Sequence, residues 1–310
     1  TAEADKRLVW HITRHGDTNY IVEPVEQKRK VRGSGWTKGR TLSIDKLKQQ
    51  TADYGYMSDQ DRRVCAEAIA LEAYGWRRSS LAAEIDHHHA IELLAGHPYV
   101  YWKHAPTVPL EIVISRPELS ITECEGKYRL ALLPELHRVI DDSVGAVRMI
   151  SRDGASRLRV VKFEPEHLKI ATIIGPQGVD VPAEASETLG EAVEQVAPLL
   201  TIQTNVPIAG FESEQVESDS KIHVHLLPYG DGIQAEMFVE PIAGGHSFRP
   251  GSGHTRVLVE TEQGRRIAAE RDFQLELANA REVIQACPTL DRLDPSGAMQ
   301  WIADAPVEAL

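Results

Sequence analysis

Leu8-Val9-Trp10-His11-Ile12-Thr13, then Arg14-His15-Gly16, Asp17-Thr18-Asn19 and Tyr20-Ile21-Val22, is the stretch on which the fold class turns. The first six residues alternate as a strand does, Asp17-Thr18-Asn19 has turn chemistry, and Tyr20-Ile21-Val22 returns. That is a hairpin, and it predicts antiparallel pairing at the start of the chain. Helices and antiparallel strands that segregate rather than alternate give the expected class, α+β, with two mixed domains.

Working outward, Lys28-Arg29-Lys30-Val31-Arg32 runs into Gly33-Ser34-Gly35-Trp36-Thr37-Lys38-Gly39-Arg40, where three glycines in seven residues predict a loop. Leu42, Ile44 and Leu47 have the spacing of a short helix. Ser58 is a good N-cap for a helix through Tyr74, with Asp59 and Asp61 at its positive end. A second helix begins near Asp86, buries Ile91, Leu93 and Leu94, and stops at Gly96-His97-Pro98. Val108 to Ser115, Leu119 to Glu123 and Lys127 to Leu133 predict a small antiparallel meander.

The polar, turn-rich stretch from Leu136 to Ser156 marks a boundary. It divides residues 1–140, an α+β domain carrying the basic Gly/Trp loop, from residues 141–310, a second α+β domain. The second domain is expected to hold a strand at Arg157 to Phe163 and helices at Pro165 to Ile174 and Ala183 to Val196. Lys221 to Leu227 pairs with Ile233 to Glu240, Thr255 to Glu262 with Arg265 to Arg271, and Phe273 to Ala286 is an amphipathic helix.

The 42% hydrophobic and 26% charged content belongs to a folded protein. The sequence has no apolar run near the ~20 residues that span a bilayer, and the charged N-terminus lacks a signal-peptide core. A cytoplasmic protein is expected and, because the sequence opens without an initiator Met, so is a chain cut from a longer one. Cys65, Cys124 and Cys287 form neither a CxxC pair nor an even framework, so idle thiols in a reducing compartment are expected. The net charge is -12, yet Glu26 to Lys48 holds eight basic residues against two acidic, a local +6 that leaves -18 elsewhere. A basic segment sits on an acidic body.

Three motifs are similar to catalytic or metal-binding ones. Arg14-His15-Gly16 resembles the histidine-phosphatase signature, which needs the His at the end of a parallel strand, a second His and paired arginines. A hairpin there argues against it. Asp86-His87-His88-His89 resembles a phosphoesterase metal motif, but Asp86 as an N-cap with the histidines on an exposed first turn is the plainer reading. His223 and His225 alternate as in a histidine-triad hydrolase whose third His is missing. The sequence contains no G-x-x-x-x-G-K-[ST], G-x-S-x-G or H-E-x-x-H. No catalytic residue, metal ligand or cofactor site is therefore assigned.

An ordered set of motifs resembles the region upstream of the ATPase motor in large bacterial SNF2-type (DEAD/DEAH-box) helicases. In chain order these are Val22-Glu23-Pro24-Val25-Glu26-Gln27-Lys28-Arg29, Gly35-Trp36-Thr37-Lys38-Gly39-Arg40, Ser58-Asp59-Gln60-Asp61-Arg62-Arg63-Val64 and Leu94-Ala95-Gly96-His97-Pro98. Val160-Val161-Lys162-Phe163-Glu164-Pro165-Glu166-His167, His225-Leu226-Leu227-Pro228-Tyr229-Gly230 and Arg249-Pro250-Gly251-Ser252-Gly253 continue it. The resemblance implies an accessory region, not itself an enzyme, with ATP and Mg bound only by a motor further along the parent polypeptide. Lys28, Arg29, Lys30, Arg32, Lys38 and Arg40 are then expected to neutralise phosphates of DNA or RNA, with Trp36 stacking on a base. The other expected partner is the motor lobes of the same polypeptide, and the alternative is a regulatory module without nucleic-acid contact.

Overall fold

The computed structural model describes residues 5–16, 19–33, 35–49, 53–68, 85–136, 146–152, 156–229, 232–243, 245–261, 263–287 and 300–303. The opening hairpin is as the alternation predicts: β1 (Lys6–His15) and β2 (Asn19–Lys28) pair antiparallel from Lys6↔Lys28 to His15↔Asn19. Next come β3 (Arg40–Thr41), α1 (Ile44–Gln49), α2 (Asp59–Glu67), α3 (His87–Leu93), β4 (Val100–Trp102), β5 (Ala105–Pro109) and β6 (Glu111–Ser115). They are followed by β7 (Glu118–Cys124), β8 (Lys127–Leu133), β9 (Val147–Arg152), β10 (Arg157–Phe163), α4 (Pro165–Ile174) and β11 (Val179–Pro182). The remaining elements are α5 (Ser186–Val196), β12 (Thr201–Thr204), β13 (Glu214–Val216), β14 (His223–Tyr229), β15 (Gly232–Phe238), β16 (Arg256–Glu260), β17 (Arg266–Glu270), α6 (Phe273–Ala286) and β18 (Gln300–Ala303).

The chain is α+β, and its two larger sheets are mixed rather than purely antiparallel. β1 pairs parallel with β4, β7 with β12 and β13 with β17. Two compact units interleave in sequence: residues 1–114, 148–160 and 227–230 form one, and 115–147, 161–226 and 231–310 the other. The division expected at 140/141 is contiguous; these units are not. The helix expected from Ser58 through Tyr74 ends earlier: α2 stops at Glu67, where Ala68 N donates to Val64 O as the C-cap, and Tyr74 itself lies outside the described residues.

In the first unit a five-stranded sheet runs β3-β2-β1-β4-β5. Leu8, Trp10 and Ile12 share one face of β1 by the two-residue period. They pack with Leu47 of α1, Val64 of α2 and Ile91 of α3 in one buried cluster. The expected meander is corrected: β5 closes this sheet, β6 joins β10 and β9, and only β7 and β8 stay together. Leu110 gives its N–H to Val100 O and the next residue, Glu111, gives its N–H to Ser156 O, so backbone pairing changes partner within one residue.

Asp61 does more than favour a helix N-terminus. Its carboxylate accepts from Ser58 N and Oγ, closing a capping box, and from Trp10 Nε1 at 2.7 Å and His97 Nε2 at 3.1 Å. Burial opposes ionisation, but His97, Trp10 and Ser58 outweigh it and hold the carboxyl below its ordinary range. Burial, then the Asp61 charge, pushes the Cys65 thiol up to about 12. It is one of three free cysteines; Cys124 is exposed.

In the second unit a seven-stranded sheet runs β11-β8-β7-β12-β16-β17-β13, and β15 pairs antiparallel with β18. Arg271, just before α6, uses all five guanidinium N–H groups. Nε and Nη2 reach Glu276 Oε1 and Oε2 at 2.9 and 2.8 Å; Nη2 also reaches Arg249 O, and Nη1 reaches Ser252 O and His254 O. Glu276 Oε2 accepts from Gly251 N at 2.8 Å. Phe248 and Phe273 flank the guanidinium at 4.5 and 4.7 Å. Both charged side chains are 0% exposed, and the pair locks the loop from Arg249 to His254.

Candidate nucleic-acid interface

The glycine-rich stretch after β2 is not an open loop. Arg29 bridges Trp36 antiparallel, Lys30 N donates to Gly35 O, and Thr37 N to Lys28 O. Lys28 N donates to Thr37 Oγ1 at 3.0 Å. Backbone pairing thus prolongs the strand beyond Lys28 into a narrow two-stranded ribbon, which returns to β2 through β3 at Val25↔Thr41 and Glu26↔Arg40. Gly39 makes the return possible: its φ is +83°, and a Cβ there would lie 2.6 Å from Val25 Cγ1 and 2.7 Å from Glu26 O.

Lys28, Arg29, Lys30, Arg32, Lys38 and Arg40 are all exposed. Among the described residues Lys28, Lys30, Arg32 and Lys38 have no ion-pair partner, whereas Arg40 pairs with Glu26 at 3.2 Å. Val31 is fully exposed among these cations. The structure therefore brings all six sequence-predicted cations to one ribbon. Trp36 is half-buried, with the Arg7 guanidinium 4.4 Å from its ring centre and 4.8 Å from that of Tyr99. One face of Trp36 is occupied, so a base would have to stack on the other.

Glu26 braces the ribbon's base from a side chain that is 1% exposed. It accepts from Tyr56 Oη at 2.5 Å, Arg40 Nε at 3.2 Å and Lys6 Nζ at 3.4 Å. Burial opposes its charge, yet Tyr56, then Lys6 and Arg40, prevail and its pKa is lowered. Burial and then Glu26 raise the Tyr56 phenol well above its ordinary value. Glu26 and Asp61 both ionise more readily folded than unfolded, so their stabilisation is complete above the ordinary carboxylate range and is lost as pH falls through their lower folded values. Melting followed over an acid series is expected to show this loss, and Glu26→Gln is expected to flatten it. An unchanged acid profile in Glu26→Gln would contradict the bracing role.

The other three motifs occupy separate local settings. Arg14-His15-Gly16 lies at the exposed end of β1, an otherwise buried strand paired antiparallel with β2 and parallel with β4, and the next described element is β2 rather than a helix. Asp86 does cap α3, accepting from His89 N at 2.9 Å. The histidines, however, are not on an exposed turn: His87 Nδ1 accepts from Val22 N, and His88 Nδ1 lies 3.2 Å from Arg148 O. They dock the helix onto β2 and β9. His223 stacks on Phe238 at 5.4 Å. Among the described residues no group of three or more His, Cys, Asp or Glu is placed to hold a metal ion, and no helix is long and apolar enough to cross a membrane.

Sequence reading missed one constellation altogether. Glu118, Ser120 and Gln203 on β7 and β12 meet His246 and His254 from the segment between β15 and β16. No short-range motif signals it, because the partners lie far apart in the chain.

What fold and site together define is a class: an α+β protein bearing a braced basic ribbon. Comparisons with protein families, with curated proteins and with solved structures return no match for this chain.

Proposed function

We propose that this chain is a nucleic-acid-engaging accessory region, with the ribbon from Lys28 to Arg40 as its phosphate contact. The observation that carries this reading is the row of exposed cations on a backbone-paired ribbon, four of them without an ion-pair partner among the described residues. Such cations bind phosphates by releasing condensed counterions, without reading sequence. The motif resemblance extends the proposal: the parent protein is a cytoplasmic SNF2-type helicase or translocase, and this region helps its motor engage the strand or restrains it. The remaining -18 repels the same phosphates, so contact is confined to about a Debye length, ~10 Å at 0.1 M salt.

Trp36 separates two modes of contact. If a base stacks on the face away from Arg7, Trp36→Ala weakens single-strand binding by roughly 1 to 3 kcal/mol and leaves the salt dependence unchanged. Fluorescence anisotropy with a labelled single strand measures this directly. Equal affinity in Trp36→Ala removes Trp36 from the interface and leaves the cations. A second reading, docking of the ribbon on an acidic protein surface such as a motor lobe, is favoured by the exposed apolar Val31. Binding of the isolated chain to nucleic acid decides between the two.

A further inference from the structure

In the second unit, Ser120 Oγ lies 2.9 Å from His254 Nε2, although the residues are 134 apart in sequence. His254 Nδ1 lies 3.0 Å from Gln203 Oε1. The amide nitrogen of Gln203 donates to Glu118 Oε2, and Glu118 Oε1 lies 3.2 Å from His246 Nε2. An ionised carboxylate only accepts, so Gln203 must turn its oxygen toward His254. Nδ1 then carries the proton, Nε2 holds the lone pair, and the Ser120 hydroxyl donates to it. Register pairing of Gln203 with Ser120 places both on one sheet face, and the Arg271 clamp fixes the loop that supplies His254. A serine in need of one acceptor could use any carbonyl. Here its acceptor is a histidine held in a single tautomer by a second amide, the arrangement that activates a serine.

We propose that Ser120 is a nucleophile, with His254 as its general base and Gln203 as a positioning residue, forming an acyl-transfer site for small activated esters. The site is independent of the basic ribbon and adds a catalytic role where sequence reading assigns none. Ser120 keeps 9% of its surface and His254 is half-buried, which limits the donor to a small one. In the first step the Ser120 proton passes to His254 Nε2 as Oγ bonds the acyl carbon. The ester C–O bond breaks, and the departing alkoxide takes that proton. Water then attacks the acyl-serine, giving a proton to Nε2, and Oγ recovers it as the carboxylic acid leaves. Burial, and next the Arg271 charge, lower the His254 pKa, which keeps the base free at neutral pH. Arg271, Glu118 beyond Gln203, and His246 on Glu118 are the charged or titratable groups of this network.

The test is to incubate the intact chain with a fluorophosphonate and map the adduct by peptide mass spectrometry. Labelling forms an Oγ–P bond and breaks P–F, releasing fluoride while the proton leaves through His254. Modification of Ser120 is expected, absent in Ser120→Ala and at least ~100-fold slower in His254→Ala. Its rate should level off at a pH below the ordinary histidine pKa. Gln203→Leu should slow it, and Gln203→Glu, which keeps an acceptor for Nδ1 but sets a second carboxylate against Glu118, should restore it only together with Glu118→Gln. A folded wild-type chain with Ser120 unmodified, or a His254→Ala variant labelled as fast, overturns the proposal and leaves a packing network.

Discussion

Glu276→Ala is expected to destabilise the second unit by about 3–5 kcal/mol, because it strands a fully buried guanidinium without its counter-charge. The Arg271 side chain is 0% exposed and would lose two of its charge-assisted bonds, while Gly251 N would lose its acceptor in that clamp. Replacing both partners with apolar side chains of similar volume, as in Arg271→Met with Glu276→Leu, should cost less than the single change, since no buried charge remains. The loop from Arg249 to His254 should nevertheless loosen in both variants: Glu276→Ala removes the acceptor of Gly251 N, and Arg271→Met removes the donor to three of the loop's carbonyls. Hydrogen exchange at Gly251 and along α6 reads this locally, which matters in a chain whose two units need not unfold in one step. A single variant within about 0.5 kcal/mol of wild type would show that the clamp is not what holds the loop.

Local chemistry was legible in the sequence wherever it determined structure. The β1–β2 hairpin, the Ser58 cap, α4 from Pro165 to Ile174 and α6 from Phe273 to Ala286 depend on alternation, capping residues, Pro at a first turn and helical spacing. Strand partners were not legible. β12, only Thr201 to Thr204, carries no period long enough to read, and its parallel pairing with β7 is a long-range choice. The break between β5 and β6 depends on Val100 and Ser156 accepting from adjacent residues, which no local pattern encodes. Candidate sites follow the same rule. The six ribbon cations are contiguous enough to be found by charge alone, although glycine counting made their ribbon a loop. Ser120, Gln203 and His254 come from three separate stretches and meet only in the folded sheet.

Removing Lys28, Arg29, Lys30 and Arg32 together is expected to abolish most nucleic-acid binding by the isolated chain. Each phosphate contact contributes a slope of ~0.9 in log K against log salt on duplex DNA and ~0.7 on single strands. Four lost contacts flatten that slope by up to about three to four units, and affinity at low salt falls with it. Lys38 and Arg40 remain, so weak, shallow binding should persist. The fold should be unaffected, since these side chains are exposed and the brace at Glu26 lies beneath them. The decisive measurement is therefore the salt dependence of oligonucleotide affinity for the wild-type chain beside the fourfold alanine variant. A steep wild-type slope that flattens in the variant is the expected result. No binding at low salt, or the same slope in both proteins, would contradict phosphate contact by the ribbon and leave protein docking as its role.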